Sequence, residues 1–264
     1  MTMNLRKTTI VVKKDIKLHN PIMIVGLPGI GNVGKLVAEH LRREFKAKRF
    51  ATLYSPYLPD RVVMLKNGTI RLSNNGFYLL KANKNVKNDI VILTGDAQGV
   101  SSRGRYEINA KIVDFFKEKL NGTFVYTIGG YNAGNTFVKD PKVFGSATSK
   151  SIAEQFKGSD VVFGKARGFI MGSAGLIVAF SRMRHIDAIC LMGETSMLDV
   201  DASAAKAVLL VLAKRLNLKI DMSKLDKIIE GTAKFVRELE RQVSVGSQLE
   251  KLHGEPESHP SYIR

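Results

Sequence analysis

An apolar run, Ile22-Met23-Ile24-Val25, breaks at Gly26-Leu27-Pro28-Gly29 and resumes with apolar residues at helical spacing, Val33, Leu36, Val37 and Leu41. A strand, a tight turn and a helix are thereby specified, the first half of a βαβ unit. Gly29, Gly31 and Gly34 fall at the G-x-G-x-x-G spacing of dinucleotide-binding turns. Glycines here serve either of two ends. They let the helix lie close to the strand, or they bare helix N-terminal amides for a phosphate. A dinucleotide site also needs an acid about 20 residues on, at the end of the next strand. That strand, Arg49–Tyr54, runs into Ser55-Pro56, and Asp60 falls later, in a loop. The balance favours a structural turn.

The rest of the chain alternates in the same way. Thr8–Val12 reads as a lead-in edge strand. Arg61–Leu65 and Thr69–Leu72 flank Asn67-Gly68, and Asn-Gly between apolar runs is a strong hairpin signal. An antiparallel insertion is therefore expected over about 56–88. Asp89–Gly95 is a fully buried strand, followed by a helix from about Tyr106 to Leu120 and a strand over Thr123–Ile128. A short helix about Ser149–Phe156, a helix from Gly172 to Arg184, a buried strand over Asp187–Thr195 and an apolar helix from Asp201 to Leu216 follow. A last helix is read from Ser223 to about Gln242. This order predicts a three-layer α/β/α domain with a mixed sheet over 1–242. Residues 243–264 are polar, contain two prolines, and read as a flexible C-terminal tail.

With 264 residues, 44% of them hydrophobic, the chain can bury a proper core. No apolar run reaches the roughly 18 residues of a membrane span. Cys190 is the single cysteine, so no internal disulfide forms, and a cytoplasmic protein is expected. The net charge is +17. Its lysines are spread thinly, and the densest cluster, Arg42, Arg43, Lys46, Lys48 and Arg49, reads as the exposed end of a helix and its loop. No aromatic platform accompanies it, so specific nucleic-acid binding is not expected.

Several strand ends together resemble one family. Leu27–Gly34, Thr94-Gly95-Asp96-Ala97-Gln98, Ile128-Gly129-Gly130-Tyr131, Gly172-Ser173-Ala174-Gly175-Leu176 and Ile186–Thr195 followed by Asp201 and Ala204-Ala205 look like the proteasome assembly chaperone 2 family, in its archaeal form. The likeness covers about residues 20–240. It implies a nucleoside-phosphorylase-like fold, homo-oligomers, no cofactor, and an ATP-independent, non-enzymatic chaperone that binds proteasome α-subunits. It also implies docking through a C-terminal ending of hydrophobic residue, tyrosine, any residue. In this sequence Tyr262 stands third from the end, Ser261 takes the hydrophobic position, and Ile263 and Arg264 follow. Tyr262, Ile263 and Arg264 are the expected partner-binding residues.

The chemistry of catalysis is thinly represented. His19, His40, His185, His253 and His259 show no metal-ligand spacing, and no metal is expected. Asp96, Glu194, Asp199 and Asp201 stand near strand ends, where paired carboxylates would serve acid–base work; caps and loop acceptors are the favoured role. Were a small-molecule or hydrolytic pocket present, it would be built by Gly29, Gly31, Asn32, Asp96 and Glu194. The last two helices carry apolar residues beyond one face, Val208–Leu212 and then Ile228, Ile229, Phe235, Val236 and Leu239, which suggests burial against another subunit.

Overall fold

Apolar runs of strand length, buried along their whole length, need cover on both faces. Ile22–Val25 is such a run, and every one of its residues is buried. In the computed structural model of the protein, residues 6–14, 16–83, 86–132, 134, 138–164, 168–195 and 199–234 are described. Strands β1 (Thr9–Val12) and β2 (Ile22–Val25) precede a 3-10 turn (Ile30–Asn32) and helix α1 (Val33–Glu44). Strand β3 (Lys48–Tyr54), the hairpin β4 (Val62–Met64) and β5 (Ile70–Leu72), and strands β6 (Asn75–Leu80) and β7 (Ile90–Gly95) follow. Helix α2 (Ser102–Asp114) continues into a π-helical turn (Phe115–Lys119). Then come β8 (Phe124–Asn132), β9 (Val143–Ala147), α3 (Lys150–Glu154), β10 (Val161–Val162), α4 (Ser173–Met183), β11 (Asp187–Thr195) and α5 (Ala202–Leu216). The chain divides into two compact units, Met1–Met222 and Ser223–Arg264. In the second, a helix covers 223–234; the expected continuation to Gln242, with Phe235, Val236 and Leu239, and the tail over 243–264 lie outside the described residues.

Nine strands form one sheet in the order β1-β3-β6-β7-β2-β8-β11-β9-β10. The middle four, β7, β2, β8 and β11, are parallel, and antiparallel pairs flank them. Helices α1 and α5 pack together on one face, α2 and α4 on the other. The mixed three-layer sheet is therefore as the sequence predicts. Alternation along each strand divides the core. Met23, Val25, Leu93 and Val125 join Ile108, Ile112 and Ile177 under α2 and α4. Phe77 meets Phe115 edge-on, with ring centroids 5.1 Å apart, a pair worth about 0.5–1.5 kcal/mol beyond its buried area.

The Asn-Gly hairpin forms as predicted, pairing Val62 with Leu72 and Met64 with Ile70, but as a separate two-stranded sheet. β6, within the expected antiparallel insertion, enters the main sheet antiparallel between β3 and β7, where Phe77 and Tyr78 are buried. Helix α2 starts earlier than its apolar spacing indicates, at Ser102. Ser101 caps it, its hydroxyl accepting from the Gly104 amide at 3.1 Å. In α5, Val208, Leu209, Val211 and Leu212 are buried within the single chain and only Leu210 is largely exposed, so most of that helix's apolar excess needs no second subunit.

One buried carboxylate fastens the entry to β7. Asp89 is 1% exposed. It accepts from the Ala82 amide at 2.8 Å, the His19 amide at 2.8 Å and the Lys81 ammonium at 2.9 Å. Burial pushes its carboxyl up, but these donors outweigh burial and hold it below the usual carboxylate range. A depressed folded value means stability present above the unfolded value of about 3.9 and lost as pH falls through the folded one. Asp89→Asn is expected to lower stability at neutral pH by about 1.5–3 kcal/mol, the range for hydrogen bonds to a charged group. It should also flatten the fall in stability below about pH 4, read by urea unfolding across pH. An unchanged acid limb would refute this account.

Candidate functional site

Open parallel sheets place their sites at the carboxyl ends of the strands. Here that end is closed by the glycine turn itself. A methyl group at Gly26 would lie 2.0 Å from the Gly34 carbonyl oxygen, and one at Gly34 would lie 2.5 Å from that of Ile128. Only glycines let α1 start this close to β2 and β8. Gly31 takes φ +59°, and a side chain there would strike the Thr195 hydroxyl. The same turn binds the end of β11 and the start of α5. The Gly31 carbonyl accepts from the Asp201 amide at 2.8 Å. Asp201 accepts from the Thr195 hydroxyl at 2.8 Å and from the Ala204 amide at 2.9 Å, so it is the N-cap its position predicts.

On the other face one amide side chain joins three segments. Gln98, in the loop after β7, donates from Nε2 to the Pro28 carbonyl and accepts at Oε1 from the Ser173 amide, both at 2.7 Å. The first amide of α4 is thereby already satisfied. Thr127 adds a hydroxyl bond to the Ala174 carbonyl at 2.8 Å. Between the ends of β2 and β8 remains a cavity of about 210 Å³. Its walls are Val25, Leu27, the glycine-rich end of β8 and Met192, with Gln98, Tyr131, Asn132 and Ser173 as polar side chains. Among the described residues no charged side chain lines it. Phe169 and Met171 at its mouth are 99% and 82% exposed.

Of the residues expected around a pocket, Gly29 lines this cavity. Gly31 faces Thr195 and Asp201, and the Asn32 side chain donates from Nδ2 to the Asp199 carbonyl at 3.1 Å. The two acids stand apart from it. Asp96 receives both ends of the Arg71 guanidinium, at 2.5 and 2.9 Å, and the Asn74 amide at 2.9 Å. Burial raises its carboxyl, Arg71 and Asn74 lower it, and the net value lies below the usual range. Asp96 therefore anchors the β4–β5 hairpin. Glu194 accepts from the Lys142 amide at 3.1 Å and, through its own amide, donates to the Lys142 carbonyl at 2.7 Å, fixing the approach to β9. Cys190 is buried and its thiol is pushed up to about 11 by burial, so it stays protonated and inert. Among the described residues no group of three or more His, Cys, Asp or Glu side chains could hold a metal ion. No described helix is long and apolar enough to cross a membrane. Tyr262, Ile263 and Arg264 lie outside the described residues.

These features define a class: a doubly covered α/β sheet whose strand-end crevice is closed by turn glycines and an amide clamp, with its carboxylates committed to structure. The chain belongs to the PAC2 family, whose model matches residues 23–243. It is 38% identical over 229 residues to an uncharacterized protein of Methanocaldococcus jannaschii, covering 86% of each chain. Among solved structures it is similar to Pyrococcus furiosus PbaB, an archaeal proteasome activator. That likeness has a TM-score of 0.83 and 38% identity, over 89% of this chain and 99% of PbaB. Pyrococcus furiosus PbaA, an archaeal homolog of proteasome-assembly chaperone, is similar at a TM-score of 0.74 and 25% identity, over 94% and 98% of the two chains.

Gln98 is the residue that spacing alone does not single out, although it ends the strand-end motif Thr94–Gln98. Gln98→Leu keeps much of its volume and removes both bonds. It is expected to cost about 1–3 kcal/mol, the range for leaving buried partners unmatched, with a matching drop in the urea midpoint. Stability equal to the parent would show the clamp to be dispensable.

Proposed function

We propose that the protein is an ATP-independent, non-enzymatic chaperone or adaptor that binds proteasome core α-subunits and assists their assembly. It acts in the cytoplasm as a homo-oligomer, without a cofactor. The observation that carries this reading is the likeness to PbaB along nearly the whole of both chains. The likeness to PbaA points the same way. Commitment of Asp96 and Glu194 to Arg71 and Lys142 supports an adaptor rather than a catalyst. Part of the contact is assigned to Tyr262, Ile263 and Arg264, where an aromatic and an aliphatic residue stand in an otherwise polar stretch.

The test is binding of the 264-residue chain, and of a version ending at Pro260, to archaeal proteasome α-subunits. Binding by the first and its loss in the second is the expected result. Binding that survives truncation keeps the partner and moves the contact to residues before Ser261. No binding by either form overturns the proposal.

The cavity at the strand ends favours a second reading, a small-molecule pocket at Gly29 and its neighbours. A thermal-shift panel of nucleotides, nucleosides and phosphate addresses it. A true ligand at about 100 times its dissociation constant adds about 2.7 kcal/mol of stability; flat curves across the panel remove the reading.

A further inference from the structure

A second surface, at the β1 edge of the sheet, has a shape and charge of its own. Among the described residues β1 is the outermost strand on its side. Ile10 pairs with Leu53 and Val12 with Ala51, and Leu53 and Ala51 belong to the core beneath α2. Ile10 and Val12 therefore stand on the face that α2 covers farther in. α2 does not close over them. It ends in the π-helical turn Phe115–Lys119, a widening that recurs at functional sites. Between strand and turn lies a groove of about 500 Å³, within the range of ligand sites. Phe50, Phe115 and Leu120 form its buried floor, and Val12 on its wall is 46% exposed.

The rim is basic. Lys13, Lys14, Lys111 and Lys119 border the groove, all exposed, and none enters an ion pair among the described residues. Of its two carboxylates among the described residues, Asp114 is bonded to Arg184, which leaves Glu118 beside four lysines on the rim. We propose that this groove docks an acidic peptide segment of a partner protein, an extended stretch that carries a bulky apolar side chain between carboxylates. Three features select that occupant. The sheet edge at β1 accepts an added strand. The apolar floor receives one large side chain. The lysines discourage indiscriminate strand addition and attract carboxylates, and the chain's net +17 adds a longer-range pull on an acidic partner. A second copy of the chain brings the same positive charge and fits poorly. The proposal stands independently of the proteasome reading.

The experiment measures fluorescence anisotropy of a short labelled peptide, glutamates flanking one phenylalanine, titrated with the full chain. The expected result is binding that weakens as salt rises and that drops on the order of tenfold, or 1.4 kcal/mol, in the double variant K111E/K119E. A control pair, K66E/K139E, makes the same charge change at exposed lysines that do not line the groove, and should bind as the parent does. Circular dichroism verifies that both pairs fold. Four results overturn the proposal: no binding by the parent chain, equal loss in the control pair, equal binding of a peptide with serine in place of phenylalanine, or equally strong displacement by an oligonucleotide of the same charge. The last would assign the groove to nucleic acid.

Discussion

Helix α1 leaves β2 so abruptly that the Gly34 carbonyl occupies the space where any side chain at position 26 would stand. This contact sets the height of the α1 layer over the sheet, and the neighbouring parts follow from it. Gly34 in turn lies against the Ile128 carbonyl, so β8 must come up beside β2. Gly130 must then also lack a side chain, since a methyl group there would sit 2.4 Å from the Ile30 carbonyl oxygen. The turn thus occupies the crest of β2 and β8, where a dinucleotide fold would seat its phosphates. Two of its carbonyl groups are bonded within the protein. Gly31 and Pro28 give their carbonyls to Asp201 and Gln98. The motif has the glycines of a phosphate loop and uses them for close packing, as the missing acid after β3 indicates.

Much of this is legible in the sequence because it is local. Apolar runs, Asn67-Gly68 and the cap at Asp201 act within a few residues, and the strands and helices they specify are found. What is not legible is non-local. β6 and β7 stand between β2 and β3, and nothing in the spacing of residues 22–54 foretells it. The two-residue β10 is too short for any periodicity. Tyr106 through Leu120 shows the helical stripe, but the start of α2 is set by a serine hydroxyl, and polar first turns carry no stripe.

The site divides along the same line. Strand-end acids are readable as positions, and Asp96 and Glu194 do stand at strand ends. Their partners are not readable. Arg71 comes from a hairpin 25 residues away and Lys142 from 52 residues away, and such partners decide whether a carboxylate is a reagent or a rivet. An unpaired acid near a crevice would hold an adjustable proton; one clasped by a guanidinium and a backbone amide is held ionised. The hairpin gains from this as well. Its outer face exposes Val62, Met64, Ile70 and Leu72, and two strands alone are marginal in water, so Arg71–Asp96 is what ties the ribbon to the sheet.

A chain organised in this way has chemistry to offer mainly at its surfaces. Glycines and amide bonds fill the crest of the sheet, and its one cysteine is sealed within β11. The periphery carries aliphatic side chains on the hairpin, Phe169 and Met171 at the cavity mouth, and lysines around the β1 groove. Exposed apolar groups of this size are commonly interaction sites, and surplus positive charge speeds encounter with acidic partners. A fold that clasps its strand-end carboxylates and leaves apolar and cationic groups outside has surfaces suited to contact with other molecules.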